Sequence, residues 1–500
     1  MVVKRTPGKP NKTRRILRVN GYSPHQNLTV FNTDITTLEK AVKERVFFVK
    51  TDGKHTPPPK PLSDRYFSET LEPFRAELSK HLPTTAPLSR EQFVLSYTGR
   101  KAKVYAQALQ SLYRQPLKVK DSHITAFIKV EKTNLTVKPT SVPRIIQPRD
   151  PRFNVEVGRF LRPLEEEIFE AINRTYGHTT IFKGMNALKS GAIMREKWEQ
   201  FSDPIAIGAD ATRFDQHVSQ AALSWEHSIY LACFTHGTGR EWLAHLLKQQ
   251  LTNKCKAYAE DGNLRYTTDG CRMSGDMNTS LGNCLLMCAM IYVYAKSVGV
   301  RISLANNGDD CVIIMEARDL KKFSANLHDY FLKLGFNLVL EPPTTVFERI
   351  SFCQTSPVWC GRHEQYIMVR DPRVAIFKDL TCIKYYPTEK LRSGWLYAVG
   401  MGGLALAGTM PIWKPFYKSL CVGNKPHESV LSGQSWGVRR LAAGMTYKES
   451  PISALTRASF YSAFDITPEE QLASEALYRA GAVNEAPIDE EYLYPYYQQY

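Results

Sequence analysis

A chain of 500 residues is too long for one ordinary compact core, so two or three subdomains are expected. Hydrophobic residues at 43% and charged residues at 23% are the balance of a soluble globular protein and exclude a chain disordered throughout. The formal net charge of +16 points to a polyanionic partner, with nucleic acid the first candidate and an anionic membrane surface the second.

In chain order, residues 1–20 hold Lys4, Arg5, Lys9, Lys12, Arg14, Arg15 and Arg18 and no acid. They read as a basic, mobile arm able to meet RNA, a partner protein or an anionic membrane. The stretch 51–61, with prolines at 57, 58, 59 and 61, reads as loop or extended linker. Helical patterns dominate 64–115, and 127–149 suits strands joined by loops. Glu156 to Tyr176 is an amphipathic helix pattern, and Pro204 to Asp210 a short apolar strand. A long helix with a Cys/Met-rich apolar face is expected from Asp276 to Val298. A hairpin over 301–315, a helix over 319–334 and a strand from Phe336 to Leu340 follow. After about residue 380 the pattern is mainly helical, with a capping box at Thr467 to Glu470. From Asp465 the tail is acidic and Tyr-rich.

Several classes are excluded. The 10 cysteines form no CxxC pair, which fits reduced, buried thiols in a cytosolic protein. Cys353, Cys360 and His363 could be a fragment of a metal site but lack a fourth ligand. No secretory signal and no run of 18 apolar residues is present, so no transmembrane helix is expected. No GxxxxGK[ST] loop exists, which argues against an NTP-hydrolysing motor.

The chemistry centres on Asn306-Asn307-Gly308-Asp309-Asp310, set between the apolar runs 301–305 and 311–315. This reads as a β-hairpin with two adjacent carboxylates at its tip. Oxygen ligands on a rigid turn suit Mg²⁺, a hard cation that shares them with phosphates. Alone, the tripeptide fits an ordinary turn with solvated acids. Upstream, Asp210 ends an apolar strand and Asp215 follows five residues on. Such a strand-end carboxylate beside the hairpin can complete a two-metal site. Between them lies the stretch Gly270 to Asn283, where Ser274 and Gly275 open a loop, the long helix follows, and Ser274, Thr279 and Asn283 supply small hydrogen-bonding groups. Asp215 and Asn283 together suit contact with a ribose 2′-hydroxyl, which both donates and accepts. The plainer reading of that loop is an N-cap at Ser274 or Asp276.

The order of these elements resembles palm motifs A, B and C of positive-strand viral RNA-dependent RNA polymerases. The wording of Phe127 to Lys132, Pro143 to Arg152 and Asn154 to Leu161 resembles the tombusvirus family of plant viruses. The likeness spans about 95–380. It implies an α+β fold, a closed right hand whose antiparallel palm sheet is flanked by helices. Residues 1–63 would be arm and linker, and 64–203 fingers with template-entrance and motif F elements. Palm motif A would occupy 204–222, an insertion 223–268, palm motifs B to E 269–372, and thumb plus tail 373–500.

By the same resemblance, Asp210, Asp309 and Asp310 would bind two Mg²⁺ ions, with Mn²⁺ able to substitute. Asp215, Ser274, Thr279 and Asn283 would select the nucleotide sugar. Lys129, Lys132 and Arg144 would hold the triphosphate, where cations stabilise developing charge. Gly99, Arg100 and Lys101 would stand at the template entrance, and Phe352, Cys353 and Gln354 would support the primer end. The family's motif D lysine has no counterpart between Phe336 and Phe352, which leaves solvent, Arg349 or Lys333 for that role. The implied reaction is template-directed RNA synthesis from NTPs with pyrophosphate release, started without a primer. Single-stranded template, nascent duplex and NTPs are the implied partners. An auxiliary viral replication protein would supply membrane anchoring in the host cytoplasm. The alternatives are a reverse transcriptase or other palm polymerase, and a non-catalytic RNA-binding replication protein.

Overall fold

The computed structural model describes residues 1–6, 14, 16–19, 26–51, 53–431, 442–481 and 483. Lys9, Lys12 and Arg15 of the basic arm, and the Tyr-rich end 492–500, lie outside the described residues.

A four-stranded sheet positions the acidic residues. Its order is Ser303–Asn306, Asp310–Glu316, Pro204–Ala211, Leu338–Leu340, and every pairing is antiparallel. The apolar runs read from the sequence are these strands. They are apolar on both faces because the sheet separates two cores. Cys311, Ile313 and Met315, with Ile205, Ile207 and Ala209, face one. Val312 and Ile314, with Ala206 and Ala305, face the other. Strand side chains alternate between faces, so Gly208, Asp210 and Asp310 continue the second face beyond its apolar part.

The first core is completed by helices Asp64–Ser79, Pro151–Tyr176, Gln220–Ala232 and Thr279–Ser297. The last is apolar on nearly every side, as a helix threaded through a core must be. Pro151–Tyr176 starts five residues earlier than Glu156, because Asp150 caps it and Pro151 fills its first position. The second core packs Ala187–Trp198 and the hairpin Ser356–Cys360/Gln365–Val369 against helices of the C-terminal part. There the capping box of Thr467 and Glu470 is formed as read from the sequence.

A second sheet has five strands in the order Val2–Arg5, Gly262–Asp269, Thr252–Ala259, Ile124–Ile128, Ile145–Ile146. Thr252–Ala259 runs parallel to Ile124–Ile128 and the other pairings are antiparallel, so this sheet is mixed.

Three expectations are corrected. The N-terminal stretch is not a free arm where it is described: Val2–Arg5 adds to the sheet edge and Leu17–Arg18 pairs with Thr381–Cys382. Main-chain pairing and burial of Leu17 hold it, despite its charge. The stretch at 51–61 begins as a hairpin, Val49–Thr51/Lys54–Thr56, with Gly53 at φ +78° in its turn. The helix expected over 319–334 is broken into Ala317–Asp319, Leu320–Ser324 and Leu327–Lys333. Asn326, at φ −123°, interrupts it, and asparagine favours such breaks. Among the described residues no helix is long and apolar enough to cross a membrane.

Candidate active site

Asp210 and Asp310 are direct cross-strand partners. Asp309 sits in the turn just before Asp310, where Gly308 adopts φ +99°. Asn306 holds that turn from inside: its Nδ2 donates to the Gly308 carbonyl at 2.7 Å, and its Oδ1 accepts from the Gly308 amide at 3.1 Å. Lys183 Nζ donates to the Asn307 carbonyl at 2.9 Å. The Asp310 carboxylate accepts from the backbone amide of Cys353 at 3.0 Å, and Asn307 Nδ2 lies 2.9 Å from the Cys353 sulfur. The Phe352 turn is thus fastened to the acidic pair. Cys353 and Gln354 adopt φ +53° and +61°, and Phe352 packs edge-on to Phe182 at 5.2 Å.

The electrostatics follow from crowded carboxylates. Burial raises the Asp310 carboxyl above its ordinary range; the Cys353 hydrogen bond opposes the rise, and Asp309 and Asp210 add to it. Burial and Asp309 raise Asp210, with Lys138 pulling the other way. Glu341, at the end of the neighbouring strand, is raised by burial, then by Asp310 and Asp210. Repelling carboxylates of this kind fit a divalent cation, which offers hard-ion chemistry to oxygen donors. Among the described residues no group of three or more His, Cys, Asp or Glu side chains is placed to hold a metal ion.

Asp215 and Asn283 meet: Asn283 Nδ2 donates to Asp215 Oδ1 at 2.8 Å. Burial raises the Asp215 carboxyl, and the Asn283 hydrogen bond and Arg272 counter it. Ser274 lies in the loop that leads into the long helix, and Thr279 opens that helix. Ser274 Oγ donates to the Ile145 carbonyl at 3.0 Å, and Thr279 Oγ1 lies 3.0 Å from the carbonyls of Met273 and Asp276. Both hydroxyls fasten the loop.

The three basic residues assigned to phosphate divide. Lys129 and Arg144 are neighbours, joined by a backbone hydrogen bond of 2.8 Å, and both pair with Glu131. Arg144 is close enough to stabilise the charged form of Asp215. Lys132 instead donates to the Lys378 carbonyl and feels Asp379, so it faces the C-terminal part of the molecule. Lys138, from the same basic stretch, is the cation that acts on Asp210. It and Lys183 were missed. Lys138 had a signal, its place among the basic residues of 127–149, whereas Lys183 reaches the hairpin only through the fold. Gly99, Arg100 and Lys101 open the helix Gly99–Arg114 on the surface, with Lys101 Nζ over the Tyr97 ring at 5.6 Å. Arg349 is engaged by Asp465 at 2.6 Å.

Comparison with known proteins places the chain in a family. A family model described as viral RNA dependent RNA polymerase matches residues 1–485. The RNA-directed RNA polymerase of Oat chlorotic stunt virus is 45% identical, over 97% of this chain and 66% of its own length. That of Tobacco necrosis virus (strain A) is 43% identical over 94% of this chain and 64% of its own length. That of Tomato bushy stunt virus (strain Cherry) is 41% identical over 94% of this chain and 56% of its own length. The chain therefore spans less than two thirds of these curated relatives. With the family matched across nearly its whole length, and with such identities to proteins of the tombusvirus group, the chain belongs to the viral RNA-dependent RNA polymerases.

Proposed function

We propose that this chain carries the catalytic part of an RNA-directed RNA polymerase that copies a positive-strand viral RNA genome. The observation that supports it most is the register of Asp210 opposite Asp310, with Asp309 in the adjoining turn. Two Mg²⁺ ions, or Mn²⁺, would be held by Asp210, Asp309 and Asp310. When bound, they supply Lewis-acid stabilisation of the attacking 3′-oxygen and the leaving pyrophosphate. The chain's own groups do the rest. Lys129, Lys132 and Arg144, with Lys138, neutralise triphosphate charge, Lys132 after leaving the Lys378 carbonyl it meets in the free chain. Asp215 and Asn283 recognise the ribose. The turn at Phe352 to Gln354 supports the Asp310 strand end and the growing RNA 3′ end.

In this reading the four-stranded sheet is a palm, 64–203 form fingers, and the part from 373 forms a thumb. Initiation needs no primer. An auxiliary viral protein anchors the enzyme at membrane-associated sites in the host cytoplasm. The test is a short single-stranded template of defined sequence, given all four NTPs or three. The expected result is full-length product with four, and arrest at the first position that needs the missing one. Product that ignores the template would sink the reading, and extension with dNTPs in place of NTPs would move it to a reverse transcriptase.

A further inference from the structure

Arg272 and Glu226 form an ion pair with no side-chain surface left to solvent. It is bidentate: Arg272 Nη1 donates to Glu226 Oε1 at 3.0 Å, and Nη2 donates to Oε2. Glu226 Oε1 also accepts from Asn278 Nδ2 at 2.7 Å and from the Tyr230 hydroxyl at 2.8 Å. A slot in the long helix makes room for the pair. A methyl group at Gly282 would lie 2.3 Å from Arg272 Nη2 and 2.4 Å from Glu226 Oε1.

The third donor of the guanidinium is the informative one. Arg272 Nε points at Asn283 Oδ1, 3.0 Å away. Arginine only donates, so the amide atom facing it must be oxygen. The amide nitrogen is then turned toward Asp215 Oδ1. Rotating the amide would set its NH₂ against the guanidinium and its oxygen against the carboxylate. Arg272 also donates its backbone amide to the Asp215 carbonyl at 2.8 Å, so one residue grips both members of the pair. Such a pair is a poor stabilising device, because desolvation offsets most of the attraction. Its use here is geometric.

We propose that Arg272, clamped by Glu226, is a positioning residue for sugar recognition. It locks the Asn283 amide so that Asp215 keeps one fixed orientation toward the 2′-hydroxyl of an incoming ribonucleotide. This rests on the polymerase reading above. The test is single-nucleotide incorporation of CTP and of 2′-deoxy-CTP by wild type, Arg272→Lys, and the double variant Glu226→Gln/Arg272→Gln. Lysine keeps a cation opposite Glu226 but lacks the fork that reaches Asn283, and the double variant removes both buried charges together. The variant that melts like wild type carries the test. Its kcat/KM for CTP should fall about tenfold while that for 2′-deoxy-CTP stays within about twofold. A parallel fall with both substrates, or no change with either, would overturn the proposal, because damage to packing does not distinguish the sugars. Failure of wild type to make any product would instead overturn the polymerase reading itself.

Discussion

At Asp310, the proposed metal binding and folding pull in opposite directions. Its carboxyl is raised by burial and by Asp309 and Asp210, so the folded chain holds that proton more tightly than the unfolded chain does. Folding is then favoured on the acid side. Stability declines as pH rises from the ordinary value of 3.8 through the raised one, and the repulsion acts in full at neutral pH. Asp310→Asn keeps an acceptor for the Cys353 amide and removes one charge. In chelator at pH 7.5 it should melt at a higher temperature than wild type, with the gap closing as pH falls toward 4. It should also lose about 10²–10³-fold in RNA synthesis. A lower melting temperature at pH 7.5 would contradict this balance. The acids themselves were legible in the sequence because their spacing follows the strand ends. The support of Asp310 by Cys353, and the approach of Lys183 to Asn307, were not: residues distant in sequence meet there only through folding.

Among elements, legibility followed local signal. The Pro204–Ala211 strand and the hairpin announced themselves as apolar runs with a glycine turn, and the late helix by its capping box. The hairpin Thr252–Ala259/Gly262–Asp269 was passed over as part of an insertion, although Asn253, Cys255 and Ala257 alternate inward along it. Val2–Arg5 escaped because a short, charged edge strand carries almost no pattern of its own. Close packing makes a separate prediction for the helix Ala187–Trp198, which lies on the strand Gln365–Val369 through Gly191. A methyl group at Gly191 would sit 2.3 Å from the Tyr366 carbonyl oxygen. Backbone cannot swing aside, so Gly191→Ala should cost about 1–3 kcal/mol. A thermal melt checks it: an unchanged midpoint would mean that the two elements separate without penalty.

Across the whole molecule, the net charge of +16 is the long-range feature. If a share of it tracks a single-stranded template, the logarithm of RNA affinity should fall linearly with the logarithm of salt concentration. Six to ten phosphate contacts would lower affinity by about 10³-fold or more between roughly 50 and 200 mM. Filter binding over a salt series reads the slope, and a flat line would place the excess charge elsewhere. The N-terminal stretch also acts at this scale. It joins the five-stranded sheet through Val2–Arg5 and the C-terminal part through Leu17–Arg18. The measurement that bears most directly on the central claim is RNA synthesis with labelled NTPs and Mg²⁺ on a short single-stranded template, wild type beside Asp309→Ala. The expected result is template-length product from wild type alone. Equal product from both would contradict it, because the hairpin carboxylates would then not be the site of the chemistry.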